Sequence, residues 1–166
     1  MPVADSGATF QASAAFARPG DTTPYTAADA VADSTTAPTA MTLAAAARNA
    51  GGTGYITALL LQKSTNVVPN AAFRIYFWNA LPTLFNDNAP ANILWADRAK
   101  LVGWADVVLR TEGAAADTAY ALDDARRIPF TCAAADTALY ATLAAQATYT
   151  PGASENFRLT VTLERS

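Results

Sequence analysis

The sequence predicts an all-β fold, an antiparallel β-sandwich of jelly-roll type with about eight or nine strands. Three observations lead there. From Asn156 to Glu164 the chain alternates without a break, with Phe157, Leu159, Val161 and Leu163 set against Arg158, Thr160, Thr162 and Glu164. Strand side chains point to opposite faces in turn, so this run is a half-buried strand. Similar runs recur, separated by clusters of Gly, Pro, Asn and Asp. No helical pattern is interleaved between them, and strands joined directly by loops favour antiparallel layers.

The elements follow in order. Residues 1–8 read as a flexible arm, and 9–166 as a single sandwich domain. Thr9 to Ala17 alternates around Phe10, Ala12, Ala14 and Phe16 and is the first strand. Pro19-Gly20 and Pro24 bracket a turn, because Pro fixes φ and Gly tolerates a positive one. Tyr25 to Val31 is a short strand before the Ser/Thr/Pro loop at Asp33 to Pro38. Met41 to Arg48 is read as a strand, although its alanines also suit a helix. A glycine turn at Gly51 to Gly54 leads into an apolar strand, Tyr55 to Gln62. Ala72 to Trp78 places Phe73, Ile75 and Phe77 on one face and Arg74, Tyr76 and Trp78 on the other, so it is expected to be covered on both sides. Leu81 to Arg98 is a long irregular loop with a short helical turn, the kind of segment that often makes contacts. Leu101 to Arg110 is a strand with Val102, Trp104 or Val107, Leu109 inward and a bulge near Asp106. Glu112 to Thr118 is a small-residue loop. Tyr120 to Ile128 is a short strand or turn region, and Phe130 to Ala133 and Leu139 to Ala147 are further strands before the last one.

Composition narrows the function. The chain has 166 residues, 52% of them hydrophobic but only 15% charged, and a net charge of −3. A chain of this length buries roughly 70% of the surface its unfolded form exposes, so it needs no metal or disulfide for a core. With no basic stripe to replace counterions, nucleic-acid binding is not expected. Arg98/Lys100 and Arg126/Arg127 lie beside Asp97 and beside Asp123 and Asp124, and read as solvated loop charges. One cysteine and no histidine remove Cys/His zinc sites and Ser-His-Asp or Cys-His catalysis, and Cys132 reads as a small core residue on a strand. The first residues have neither the basic nor the apolar region of a signal peptide, and no run reaches the ~20 apolar residues that span a bilayer. A soluble protein made in the cytoplasm is the expectation, with no cofactor.

The remaining candidates are weighed residue by residue. Gly51-Gly-Thr-Gly54 lacks the Gly-Lys-Ser/Thr ending of a phosphate loop and reads as a turn. Asn86-Asp-Asn88 could offer oxygens to calcium, but no group of carboxylates accompanies it, and a turn held by its own side chains is the expectation. Asp123-Asp124 is the only adjacent carboxylate pair. Neighbours on a strand face opposite ways, so it does not supply an acid and a base across a substrate. Trp78, Trp104 and the tyrosines are expected in the core. Trp95 is read first as a plug closing the sandwich and second as an aromatic anchor at an interface, where Trp is enriched. The interface expected on that second reading comprises Trp95, Leu84, Phe85 and Ile93 in the long loop, with Val3 in the arm.

Several segments together resemble a known group. Phe16-Ala-Arg-Pro-Gly-Asp-Thr-Thr-Pro-Tyr25 with Asp29-Ala-Val31, Ala47-Arg48 before Gly51-Gly-Thr-Gly54-Tyr-Ile56, and Phe73-Arg-Ile-Tyr-Phe-Trp78 with Leu81-Pro82 and Asp87-Asn88 resemble small virion proteins of tailed bacteriophages. Proteins of that kind are similar to head decoration or cement proteins. The resemblance implies a structural role on the outer capsid surface, with the major capsid protein as partner and self-association as a homotrimer. It implies a binding surface and no catalytic motif. The alternatives are a carbohydrate- or receptor-binding module of a phage tail or baseplate, which needs exposed aromatics grouped together, and a jelly-roll glycosidase, which needs facing carboxylates.

Overall fold

The structure is a computed structural model and describes residues 9–111, 119–123 and 127–166, with 119–123 described by backbone alone. In chain order the strands are β1 (Thr9–Ala17), β2 (Ala30–Val31), β3 (Met41–Leu43), β4 (Thr53–Lys63), β5 (Ala72–Trp78), β6 (Leu101–Val108), β7 (Arg110–Thr111), β8 (Ala119–Asp123), β9 (Ile128–Thr131), β10 (Leu139–Ala145) and β11 (Asn156–Arg165). A 3-10 helix, Trp95–Lys100, precedes β6. One sheet runs β1-β11-β4-β8-β7 with β9 also on β4, and the other runs β2-β10-β5-β6 with β3 also on β10.

These segments line up as eight lanes. β2 and β3 share one beside β10, β8 and β9 share one beside β4, and β7 is the short extension of β6 that reaches the other sheet. The pairing is nested. The first lane pairs the last (Thr9↔Glu164), the second the seventh (Val31↔Leu143, Leu43↔Leu139), the third the sixth (Leu61↔Ala121), and the fourth the fifth (Ile75↔Ala105). A long hairpin folded over on itself in this way is a jelly roll. The predicted fold class holds.

One hydrophobic cluster fills the space between the sheets. Phe73, Ile75 and Phe77 of β5, Leu139 of β10, and Phe157, Leu159, Val161 and Leu163 of β11 are all fully buried within it. Each such side chain contributes about 1.5–3 kcal/mol relative to exposure. In β4 a bulge at Thr57 keeps Ile56 and Leu59 both inward, since the register with β11 shifts there. Gly54 sits where a Cβ would lie 2.3 Å from the Glu164 carbonyl oxygen and 2.6 Å from the Phe130 ring, so only glycine fits beneath that ring.

Several expectations are corrected. The strand read from Met41 to Arg48 ends at Leu43, because Ala45 takes φ +53° and the chain turns. Between Tyr25 and Val31 only Ala30–Val31 is strand, and Tyr25 makes an isolated bridge to Tyr149. The irregularity in β6 lies at Val102, opposite the Phe77/Trp78 step, and not at Asp106. Trp104 therefore points outward and is 46% exposed, while Ala105, Val107 and Leu109 face the core. The outer face of β5 is only partly covered: Trp78 is buried, but Arg74 and Tyr76 are half-buried. The arm at 1–8 with Val3, the loop Glu112 to Thr118, the Asp123-Asp124 side chains and Arg126 lie outside the described residues.

Candidate functional site

Two polar constellations organise the loops of the molecule. The first is sealed. Arg18 donates to Asp87 at 2.9 Å, and both side chains are essentially unexposed. Tyr25 donates its hydroxyl to Asp87 at 2.5 Å, accepts from Arg18, and the Ala32 amide adds a further bond to the same carboxylate at 2.8 Å. Next to it, Lys63 donates to Glu155 at 2.9 Å with both side chains fully buried. Lys63 spends its other donors on the Thr65 carbonyl and hydroxyl, both at 2.8 Å, and the Tyr149 hydroxyl lies 2.7 Å from Glu155 Oε2. Burial pushes the Tyr25 and Tyr149 hydroxyls well above their ordinary range and pulls the Lys63 ammonium down. Every carboxylate here is spent on internal donors, so the cluster ties loops together and faces no substrate.

The second constellation supports a surface. The Asp97 carboxylate accepts from the Thr83 amide at 3.0 Å and from Lys100 at 2.7 Å, and Lys100 also donates to the Leu81 carbonyl at 2.9 Å. The Asn79 amide bonds the Lys100 carbonyl at 2.9 Å. These bonds lace the start of the long loop to the 3-10 helix at its end. The Lys100 bond, then the Thr83 amide, hold the Asp97 carboxyl down at about 2. Asp97 is thus a buried anchor and not a solvated loop charge.

The clamp presents Trp95 to solvent at 86% exposure, with Leu94 at 45% next to it in sequence and Leu81 at 52% at the start of the same loop. The expectation that Trp95 plugs the sandwich is overturned. It opens the 3-10 helix, whose buried residue is Asp97, so its ring has no core to enter. Its other reading, an aromatic anchor at an interface, calls for an exposed ring, and the ring is exposed. Arg98 lies over the ring at 5.8 Å from its centroid.

The structure does not bring the other expected interface residues out with Trp95. Leu84, Phe85 and Ile93 are half-buried and line a small cavity with Met41, Tyr76 and Trp78. Its volume of about 40 Å³ is near that of a single water and far below the ~300 Å³ of a small-molecule site. Leu81 and Leu94 take their place on the surface.

Two other exposed rings occur among the described residues. Trp104 lies under Arg74 at 5.6 Å, with Arg74 bonded twice to Asp106 at 2.6 and 2.7 Å, and Tyr55 lies under Arg127 at 4.2 Å. Arg127 itself pairs with Glu164. In the Asn86-Asp-Asn88 segment, Asp87 serves Arg18 and Tyr25, while Asn88 takes φ +61° in the turn. Cys132 is buried just beyond β9. Among the described residues, no group of three or more His, Cys, Asp or Glu is placed to hold a metal ion. A comparison of the chain with protein-family models, with curated proteins and with solved structures finds no match.

Proposed function

We propose that this chain is a structural virion protein that binds the outer surface of a phage capsid and stabilises it by bridging neighbouring major capsid subunits. Trp95 carries the reading. A large apolar ring held 86% exposed on a clamped turn is a ready hot spot, because the ordering cost of binding is already met by the Asp97/Lys100 bonds. The resemblance to decoration proteins supplies the class of partner. A module of this kind stabilises the assembled shell by binding it in preference to free subunits, and many linked contacts multiply the effect. The sealed state of Asp87 and Glu155 supports binding over catalysis, since neither carboxylate reaches a cleft.

The carbohydrate- or receptor-binding reading draws less from the geometry. Each of the exposed rings Tyr55, Trp95 and Trp104 has a guanidinium over one face, which competes with a stacked sugar. Co-sedimentation with cognate capsids stripped of this protein separates the readings. Pelleting with capsids and a rise in their melting temperature support the decoration role. Failure to pellet removes it and moves the tail or baseplate module forward.

A further inference from the structure

We propose that β1 is a self-association edge, through which two copies of this chain pair antiparallel about a twofold axis at Ser13 and join their β1-β11-β4 sheets into one. The proposal stands apart from the capsid reading and starts from the edges of the sandwich. Sheet edges expose unpaired amides that invite another strand, and most proteins blunt them. Here most are blunted. β2 and β3 are two and three residues long, and β7 is two and carries Arg110. β9 contains Pro129, and β6 carries an irregularity at Val102 and an outward Asp106. β1 is different. It runs nine residues, Thr-Phe-Gln-Ala-Ser-Ala-Ala-Phe-Ala, with no charge, no Pro, no Gly and an unbroken register against β11.

The open bonds of β1 can be assigned. The Arg18 amide bonds the Glu155 carbonyl at 2.9 Å, continuing the β1·β11 register. In an antiparallel ladder bonding residues alternate, so the even-numbered residues of β1 serve β11 and the odd-numbered ones turn their backbone groups outward. The far side of β11 agrees: the Ser64 amide bonds Asn156, placing the even residues of β11 against β4. The Ser13 and Thr160 hydroxyls, 2.9 Å apart, also sit at the closer, non-bonded kind of pair. Thr9, Gln11, Ser13, Ala15 and Ala17 therefore offer the free amides, and all five residues are exposed. No backbone bond from another described segment reaches them.

A second copy is the occupant the strand itself fits. Read outward from Ser13, β1 is nearly the same in both directions: Ala12 and Ala14, then Phe10 and Phe16. An antiparallel partner centred there sets Ser13 against Ser13 and Gln11 against Ala15, all residues with outward amides, so the ladder is complete over the full strand. Phe10 then faces Phe16 of the second copy at both ends, in the positions where side chains lie closest. With no charge in the strand, self-pairing meets no like-charge repulsion. The interface is isologous and closes at two, a twofold arrangement in place of the threefold one implied by the resemblance.

Light scattering across a concentration series is the first test, and twice the 17.3 kDa chain mass is expected. Ala15→Pro removes one outward amide without touching the β11 ladder, because Pro is tolerated on an edge facing solvent; it should return the mass to that of one chain, with a thermal melt independent of concentration and equal to that of dilute, dissociated wild type. Ser13→Cys gives a second reading that needs no loss of structure. Under a mild thiol oxidant, the two introduced thiols at the axis lose two protons and two electrons to form one disulfide, since paired strand positions lie within disulfide reach. Gln11→Cys alone should not cross-link, whereas Gln11→Cys with Ala15→Cys should. The native Cys132 is buried and does not compete. A wild type that stays monomeric at all concentrations overturns the proposal. So does an oligomer that survives Ala15→Pro and fails to cross-link in the Ser13→Cys variant, or a monomer whose capsid binding is lost with Ala15→Pro, which would give the edge to a capsid strand.

Discussion

Tyr25 and Tyr149 stack with ring centroids 6.2 Å apart and planes within 9° of parallel, and each donates its amide to the other's carbonyl. Their hydroxyls point to different buried carboxylates, Asp87 and Glu155. The two ion pairs are thereby joined into one unit that fastens the turn after β1, the long loop and the approach to β11.

Breaking one member of that unit should cost far more than replacing a pair. Lys63→Met leaves Glu155 buried without its cation and is expected to lose about 3–5 kcal/mol, while Lys63→Met with Glu155→Gln loses much less than the two single changes added. Urea unfolding measures both. Additive losses would mean that the two groups act independently.

The Asp97 clamp gives a pH signature. Its carboxyl is held at about 2 against an ordinary 3.8, so its bonds contribute in full above that ordinary value and are lost as pH falls toward 2. The Thr83 amide resonance should move over that window in the wild type and stay flat in Asp97→Asn. A Thr83 signal that titrates identically in both proteins would remove Asp97 from the clamp.

Trp95 and Trp78 should separate binding from stability. Trp95→Ala is expected to leave stability within about 0.5 kcal/mol and, on the proposed decoration role, to weaken capsid binding by roughly tenfold or more. Trp78 is 3% exposed and donates to Thr142 at 3.0 Å, so Trp78→Ala should cost about 3–5 kcal/mol. Thermal melts and co-sedimentation of the two variants read the contrast directly.

Gly54→Ala tests the close approach beneath Phe130. The added methyl meets backbone at 2.3 Å, which β4 and β11 cannot both accommodate. A loss of about 1–3 kcal/mol is expected, and a neutral result in calorimetry would show that the strands part easily there.

The strands were legible because one face of each meets the core, which writes period two into β1, β5 and β11. The same period also marked the buried charges. Carrying the inward series Phe157, Leu159, Val161 back two residues reaches Glu155; carrying Leu59 and Leu61 forward two reaches Lys63; carrying Phe10 to Phe16 forward two reaches Arg18. Charge alone argues for solvent at these three positions, but parity places them inside, where they are buried. Met41 to Arg48 misled for the opposite reason, since alanine fits a strand, a helix or a turn and states no preference strong enough to show where the strand ends at Leu43. The exposure of Trp95 depends on bonds from Asp97 to Thr83 and from Lys100 to Leu81, and no local pattern records contacts across a loop.

The nesting that sets Thr9 opposite Glu164 also governs how the molecule is made. β11 lies between β1 and β4, so the sheet that contains them has no middle until β11 has left the ribosome. The earlier strands of that sheet wait with their apolar faces uncovered, and closure then requires β1 and β11, far apart in sequence, to meet, a search that slows folding to milliseconds or seconds. During synthesis the chain is therefore exposed to aggregation and to chaperones until β11 emerges, and a polypeptide cut short before β11 should be recovered as insoluble or degraded product.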